Sequence, residues 1–152
     1  MEPTRYTTAD AGELEAFLRE VDLTVTGLDS PAVRLWVARD GSGRIVGSTG
    51  YELSGDGKHA LIRSVAVTPA SRTRGRGTEL ARFALDRAAD EGASTAWLFS
   101  RRSGRFWQSL GFVGADVSEL AHVLGETHQV RTFVATGQIT REVAWMRGLG
   151  AV

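Results

Sequence analysis

The sequence predicts an α/β domain, a mixed sheet with helices on both faces, in the order βαβββαβαβ followed by short helices and a last edge strand. Three observations predict it. Hydrophobic periodicity switches repeatedly along the chain between two residues and about 3.6. Turn-forming stretches such as DGSG and SGDGK separate the periodic segments. At 152 residues and 42% hydrophobic content the chain buries one sizeable core and is too short for two ordinary domains, so residues 1–152 read as a single domain.

Residues 4–7 form a short strand. Asp10, with Glu13 three positions on, has the look of a capped helix start, and Leu14, Phe17, Leu18 and Val21 then fall on one face of a helix over residues 10–21. TVTGLDSP is a loop or a short turn. Val33, Leu35 and Val37 alternate with Arg34, Trp36 and Ala38, and after DGSG the pattern resumes in RIVGSTGYEL, which makes a hairpin. A second turn, SGDGK, leads into HALIRSVAV, the most apolar strand and so the expected centre of the sheet. From about Gly77 to Asp90 a wide stripe of Leu80, Ala81, Phe83, Ala84, Leu85 and Ala88 marks a helix that stops at Gly92. STAWLFS is a strand, SGRFWQSL a short helix and GFVGA another strand. Residues 116–140 allow two short helices, and REVAWMRGL closes the chain as an edge strand.

Composition excludes several chemistries. Without cysteine there is no disulfide, thiolate ligand or thiol nucleophile. His59, His122 and His128 lack ligand spacing, so no metal is expected. The net charge is zero, and although every basic residue but Lys58 is an arginine, a protein that neutralises many phosphates would carry a basic excess, so no nucleic acid partner is expected. No long apolar run and no basic, apolar leader pattern is visible, which predicts no membrane association and a cytoplasmic protein.

The motif that asks for a ligand is RTRGRG, Arg72 to Gly77, placed between the central strand and a helix. The first N–H groups of a helix lack intrahelical partners and carry a partial positive charge, so the site suits phosphate. Gly75 and Gly77 would let a ligand reach the backbone, and Arg72, Arg74 and Arg76 add forked donors. A Rossmann fingerprint fails because Leu80 stands at its third glycine, and a P-loop fails for want of a lysine.

The pattern R-x-x-G-x-G after VAVTP resembles the acyl-coenzyme A signature of GNAT-type N-acetyltransferases, and FWQSLGF, Phe106 to Phe112, resembles a second segment of that family. The resemblance implies a largely antiparallel sheet and direct transfer of acetyl from acetyl-coenzyme A to an amine of a small molecule. It places the pyrophosphate on Arg72, Arg74, Gly75, Arg76, Gly77 and Thr78, and the pantetheine along Val65, Ala66 and Val67, where a backbone N–H would stabilise the developing oxyanion. The tyrosine that usually protonates the leaving thiolate is Trp107 here; indole is no useful acid, so Ser100, Ser103 or water would take that part while Trp107 packs beside the cofactor.

GYELSGDGKHALIRSVAV further resembles the arsenic-resistance N-acetyltransferase branch, which implies Glu52 as a base for the amine and Arg63 as a clamp for an acceptor carboxylate. That branch's cysteine-containing C-terminal signature is absent. The residues alone equally allow an exposed ion pair at the strand end. Two other functions fit the same motifs, a non-catalytic acyl-coenzyme A-binding module and a modifier of protein amines, and a homodimer is compatible with either.

Overall fold

The computed structural model describes residues 2–21, 23, 27–28, 30–71 and 75–150. Seven strands form one sheet: β1 (Thr4–Arg5), β2 (Val33–Arg39), β3 (Ile45–Leu53), β4 (His59–Val67), β5 (Thr95–Phe99), β6 (Val113–Ala115) and β7 (Ala144–Gly148), in the spatial order β1-β2-β3-β4-β5-β7-β6. Every neighbouring pair is antiparallel except β4 and β5, which the long crossover through a helix makes parallel. The apolar run HALIRSVAV does occupy the centre.

Side-chain alternation assigns the helices to faces. Trp36, Tyr51, Ala60 and Ile62 pack under α2 (Arg76–Asp90) and α3 (Gly104–Ser109) on one side. Leu35, Val37 and Ile45 point the other way and meet Leu14, Phe17 and Leu18 of α1 (Ala11–Glu20). Leu61 and Trp97 share that second face and pack against α4 (Val117–Val123) and α5 (His128–Thr136). Between α1 and α5 the sheet is therefore left with a groove.

Two sequence expectations change. The C-terminal strand is not an edge: β7 inserts between β5 and β6, pairing with all of Thr95–Phe99 on one side and with Val113–Ala115 on the other. Apolar Ala144, Trp145 and Met146 suit a strand paired on both sides, whereas three-residue β6, with Val113 60% exposed, is short enough to be tolerated at the rim. The expected Asp10–Glu13 cap is also shifted. Asp10 closes a capping box with Thr7 one turn earlier, and Glu13 instead accepts from the Ile45 N–H and pairs with Arg39, tying α1 to the β2–β3 hairpin. The Ile45 N–H, followed by Arg39, holds the Glu13 carboxyl below its usual range.

Candidate active site

The strand that centres the sheet is also the one that breaks it open. β3 pairs Ser48 with Ala66 and Gly50 with Arg63, so Thr49 alone faces both Ser64 and Val65, and the extra residue is a β-bulge in β4. Ser64 sits at φ 61°, the one non-glycine residue at positive φ among the described residues. Such a conformation costs roughly 1–3 kcal/mol and persists only when its surroundings impose it. Here the Ser48 hydroxyl donates to the Ser64 carbonyl and both residues are buried.

The bulge bends β4 away from its parallel neighbour. Pairing with β5 is confined to His59–Leu61 against Thr95–Trp97, and from Ile62 onward the strands part. Strand N–H groups alternate sides. Since the Thr68 N–H is taken by Val46 O on β3, Val65 and Val67 turn their backbone toward the gap. A cleft of about 400 Å³ fills it, with Val65, Ala66 and Val67 on one wall and Phe99, Ser100 and Ser103 on the other. The far wall comes from a segment whose role the sequence left unassigned: Gln129 and Phe133 of α5, then Gln138 and Glu142.

At the end of β4 the chain turns into α2. Gly75 is its N-cap at φ 84°, a left-handed conformation that asks for glycine. Gly77 differs. A Cβ built on it would come no closer than 3.8 Å to Phe106, an ordinary contact, so packing does not require the missing side chain. Arg76 and Thr78 are half-buried in the same turn, while Arg72 and Arg74 lie outside the described residues.

Trp107 faces the core. It is buried and meets Phe106 and Phe112 edge-on at ring-centroid distances of 4.9 and 5.3 Å, and it does not line the cleft. Ser100 does line it. Its hydroxyl oxygen accepts from the Ser103 N–H at 3.0 Å, its N–H donates to Val143 O, and its carbonyl accepts from the Trp145 indole, so three bonds fix it at the end of β5.

Glu52 and Arg63 are brought together, but not at the surface. Both side chains are buried, 2% and 0% exposed, with Arg63 Nη1 at 2.9 Å from Glu52 Oε2, so the exposed ion pair is excluded. The carboxylate also receives the first two N–H groups of α5, His128 to Oε1 at 2.6 Å and Gln129 to Oε2 at 3.1 Å, and Thr127 Oγ1 receives the third, from Val130. Glu52 is thus a cap delivered from a distant strand, on the positive end of a helix dipole. Burial lowers the Arg63 pKa, Glu52 opposes that shift, and the guanidinium stays charged. Neither residue lines the cleft.

Among the described residues no group of three His, Asp or Glu side chains is placed to hold a metal ion, and no helix is long and apolar enough to cross a membrane. His59 is instead the acceptor, through Nδ1, of the Trp97 indole N–H at 3.1 Å.

The family model of the acetyltransferase (GNAT) family matches residues 4–112. The chain belongs to this family. As a member it is an acetyltransferase, and the match contains β4, the turn into α2 and all of α3. Solved structures agree on the fold. A Mycobacterium tuberculosis protein, Rv2747, in complex with CoA is similar at TM-score 0.75 and 18% identity, over 97% of this chain and 99% of that one. N-acetylglutamate synthase from Neisseria gonorrhoeae, complexed with coenzyme A and N-acetyl-glutamate, gives 0.74 at 16% identity over 98% of this chain. This chain spans only 35% of that synthase. An aminoglycoside 6′-N-acetyltransferase complexed with coenzyme A gives 0.71 at 12% identity, over 100% and 99% of the two chains. No curated protein sequence matches.

The wall formed by Gln129, Phe133, Gln138 and Glu142 was not found in the sequence. A lone glutamate before an apolar strand and a glutamine in a helix carry no local signal, and only the packing of α5 over Leu61 and Trp97 turns them inward.

Proposed function

We propose that this acetyltransferase moves an acetyl group from acetyl-coenzyme A directly to a primary amine of a small molecule, with both bound at once. The observation that carries the reading is the split between β4 and β5. It opens at a bulge and runs past the backbone of Val65 and Val67, and α2, the next helix in the chain, starts with Gly77 omitting a side chain that the protein has room for. A pantetheine arm would lie along Val65–Val67, and the pyrophosphate would meet the N–H groups of Gly75, Arg76, Gly77 and Thr78. The Val65 N–H, held by the bulge, would donate to the thioester oxygen as it gains charge. That the cofactor-bound neighbours share this fold supports the same ligand here.

The cleft favours a small acceptor over a protein. Its volume is about 400 Å³, and α5 with residues 138–142 supplies one of its walls. Glu52 and Arg63 shape this site by anchoring α5. Ser100, at the end of β5 and on the cleft wall, would hand a proton to the departing thiolate.

Trp107 packs and moves no proton. Trp107→Phe is accordingly expected to lower the melting temperature through lost volume while changing turnover by no more than about threefold. Loss of turnover with intact acetyl-coenzyme A binding would give the indole a direct part in the reaction. The reading as a whole is tested by thiol release from acetyl-coenzyme A in the presence of amino acids, amino sugars, polyamines and a lysine-containing peptide. Release with at least one small amine supports it. Release with the peptide alone would move the acceptor to proteins.

A further inference from the structure

The cleft wall that the family match does not reach contains one carboxylate, Glu142, between the end of the 3-10 turn Gln138–Arg141 and the start of β7. Its side chain is only 5% exposed, yet it borders the cleft. Gln138 Nε2 donates to Oε2 at 2.8 Å, and Arg101 Nε lies 3.4 Å from the same oxygen. Both contacts use Oε2, which leaves Oε1 without a hydrogen-bond partner among the described residues. Ser100, one residue from Arg101, donates its N–H to Val143 O, so the carboxylate is held beside the end of β5. Phe99 and Phe133, with ring centroids 5.1 Å apart, line the same cleft.

A half-satisfied carboxylate, largely withdrawn from water in a cleft that also holds two aromatic rings, is a receptor for an ammonium group. Its neighbour adds a second feature. Arg101 is 44% exposed, and Arg102 lines the cleft beside it, so one negative and two positive side chains face the acceptor space. A polycation would meet repulsion there. A compact zwitterion would not, because its ammonium and carboxylate can pair with Glu142 and Arg101 in the opposite order.

We infer that the acceptor is an amino acid-type zwitterion whose ammonium is seated and deprotonated by Glu142 and whose carboxylate is held by Arg101. The inference rests on the cleft being the acetyl-transfer site. Of the three protons on the ammonium nitrogen, one passes to Glu142 Oε1, which frees the lone pair to attack the thioester carbon. One stays on the amide nitrogen as the carbon–sulfur bond breaks, and one replaces the proton that Ser100 hands to the thiolate to form coenzyme A, so an amide, a thiol and one released proton balance the reaction.

The test compares the twenty common amino acids with their α-amides as acceptors, for the wild-type chain, Glu142→Gln and Arg101→Ala, with acetyl-coenzyme A affinity measured calorimetrically for each. Wild-type protein is expected to favour at least one amino acid over its amide by tenfold or more in kcat/KM. Glu142→Gln, nearly isosteric and able to keep a hydrogen bond to Gln138, is expected to lose at least thirtyfold on that amino acid while acetyl-coenzyme A affinity stays within threefold. Arg101→Ala is expected to abolish the preference for the free carboxylate. Glu142→Gln within threefold of wild type, a preference that survives Arg101→Ala, or a wild-type chain that binds acetyl-coenzyme A and acetylates no amino acid would each overturn the inference. Failure of the wild-type chain to bind acetyl-coenzyme A would instead remove the acetyl-transfer reading beneath it.

Discussion

Glu52→Ala is expected to cost about 3–5 kcal/mol, because it strands the Arg63 guanidinium in the interior and uncaps α5 in the same step. For a chain of this size that corresponds to a fall in melting temperature of roughly 6–20 °C. Glu52→Leu combined with Arg63→Met removes both charges and is expected to recover part of the loss, since an apolar pair of similar volume can replace a buried ion pair. Recovery should be incomplete, because the His128 and Gln129 N–H groups would still lack their acceptor. Melting curves of the three proteins decide this. A melting temperature unchanged in Glu52→Ala, with turnover abolished, would make Glu52 the base that the sequence suggested and not the anchor that the geometry describes.

Gly77→Asp is expected to separate binding from folding in the opposite direction. Replacing a helical glycine reduces the entropy lost on folding, and a carboxylate in the first turn of α2 suits the helix dipole, so stability should hold or rise slightly. The same side chain puts bulk and negative charge where a pyrophosphate would sit. Acetyl-coenzyme A affinity is expected to fall at least tenfold, and less in Gly77→Ala, whose methyl group the protein accommodates. Calorimetric titration beside a melting curve reads both quantities from one preparation. Unchanged affinity in a stable Gly77→Asp protein would take the cofactor away from this turn.

What could be read from the sequence was what is local. The alternation of Val33 to Val37, the apolar run from His59 to Val67 and the glycine pair at the start of α2 each announce themselves within a few residues, and each lies where expected. Family motifs in RTRGRG and FWQSLGF added the acyltransferase assignment, which the match over residues 4–112 confirms. Long-range features were not legible. Ser64 takes a left-handed conformation that its residue type does not predict, imposed by a register that Ser48 and Gly50 fix from the neighbouring strand. REVAWMRGL has the pattern of a strand, but its place between β5 and β6 depends on which partners remain unpaired when it arrives. Glu52 shows the same limit. Its neighbours in sequence say strand end, while its real partners, His128 and Gln129, are contributed by a helix far along the chain.

Occupation of the gap between β4 and β5 by acetyl-coenzyme A is read by hydrogen–deuterium exchange with and without the ligand. Exchange is expected to slow at Val65–Val67 on β4, at the first turn of α2 from Gly75 to Thr78, and at Ser100–Ser103, with little change in the hollow between the C-terminal end of α2 and Leu149. Protection confined to that second hollow, or exchange at Val65–Val67 and Gly75–Thr78 that the ligand leaves untouched while it demonstrably binds, would contradict it.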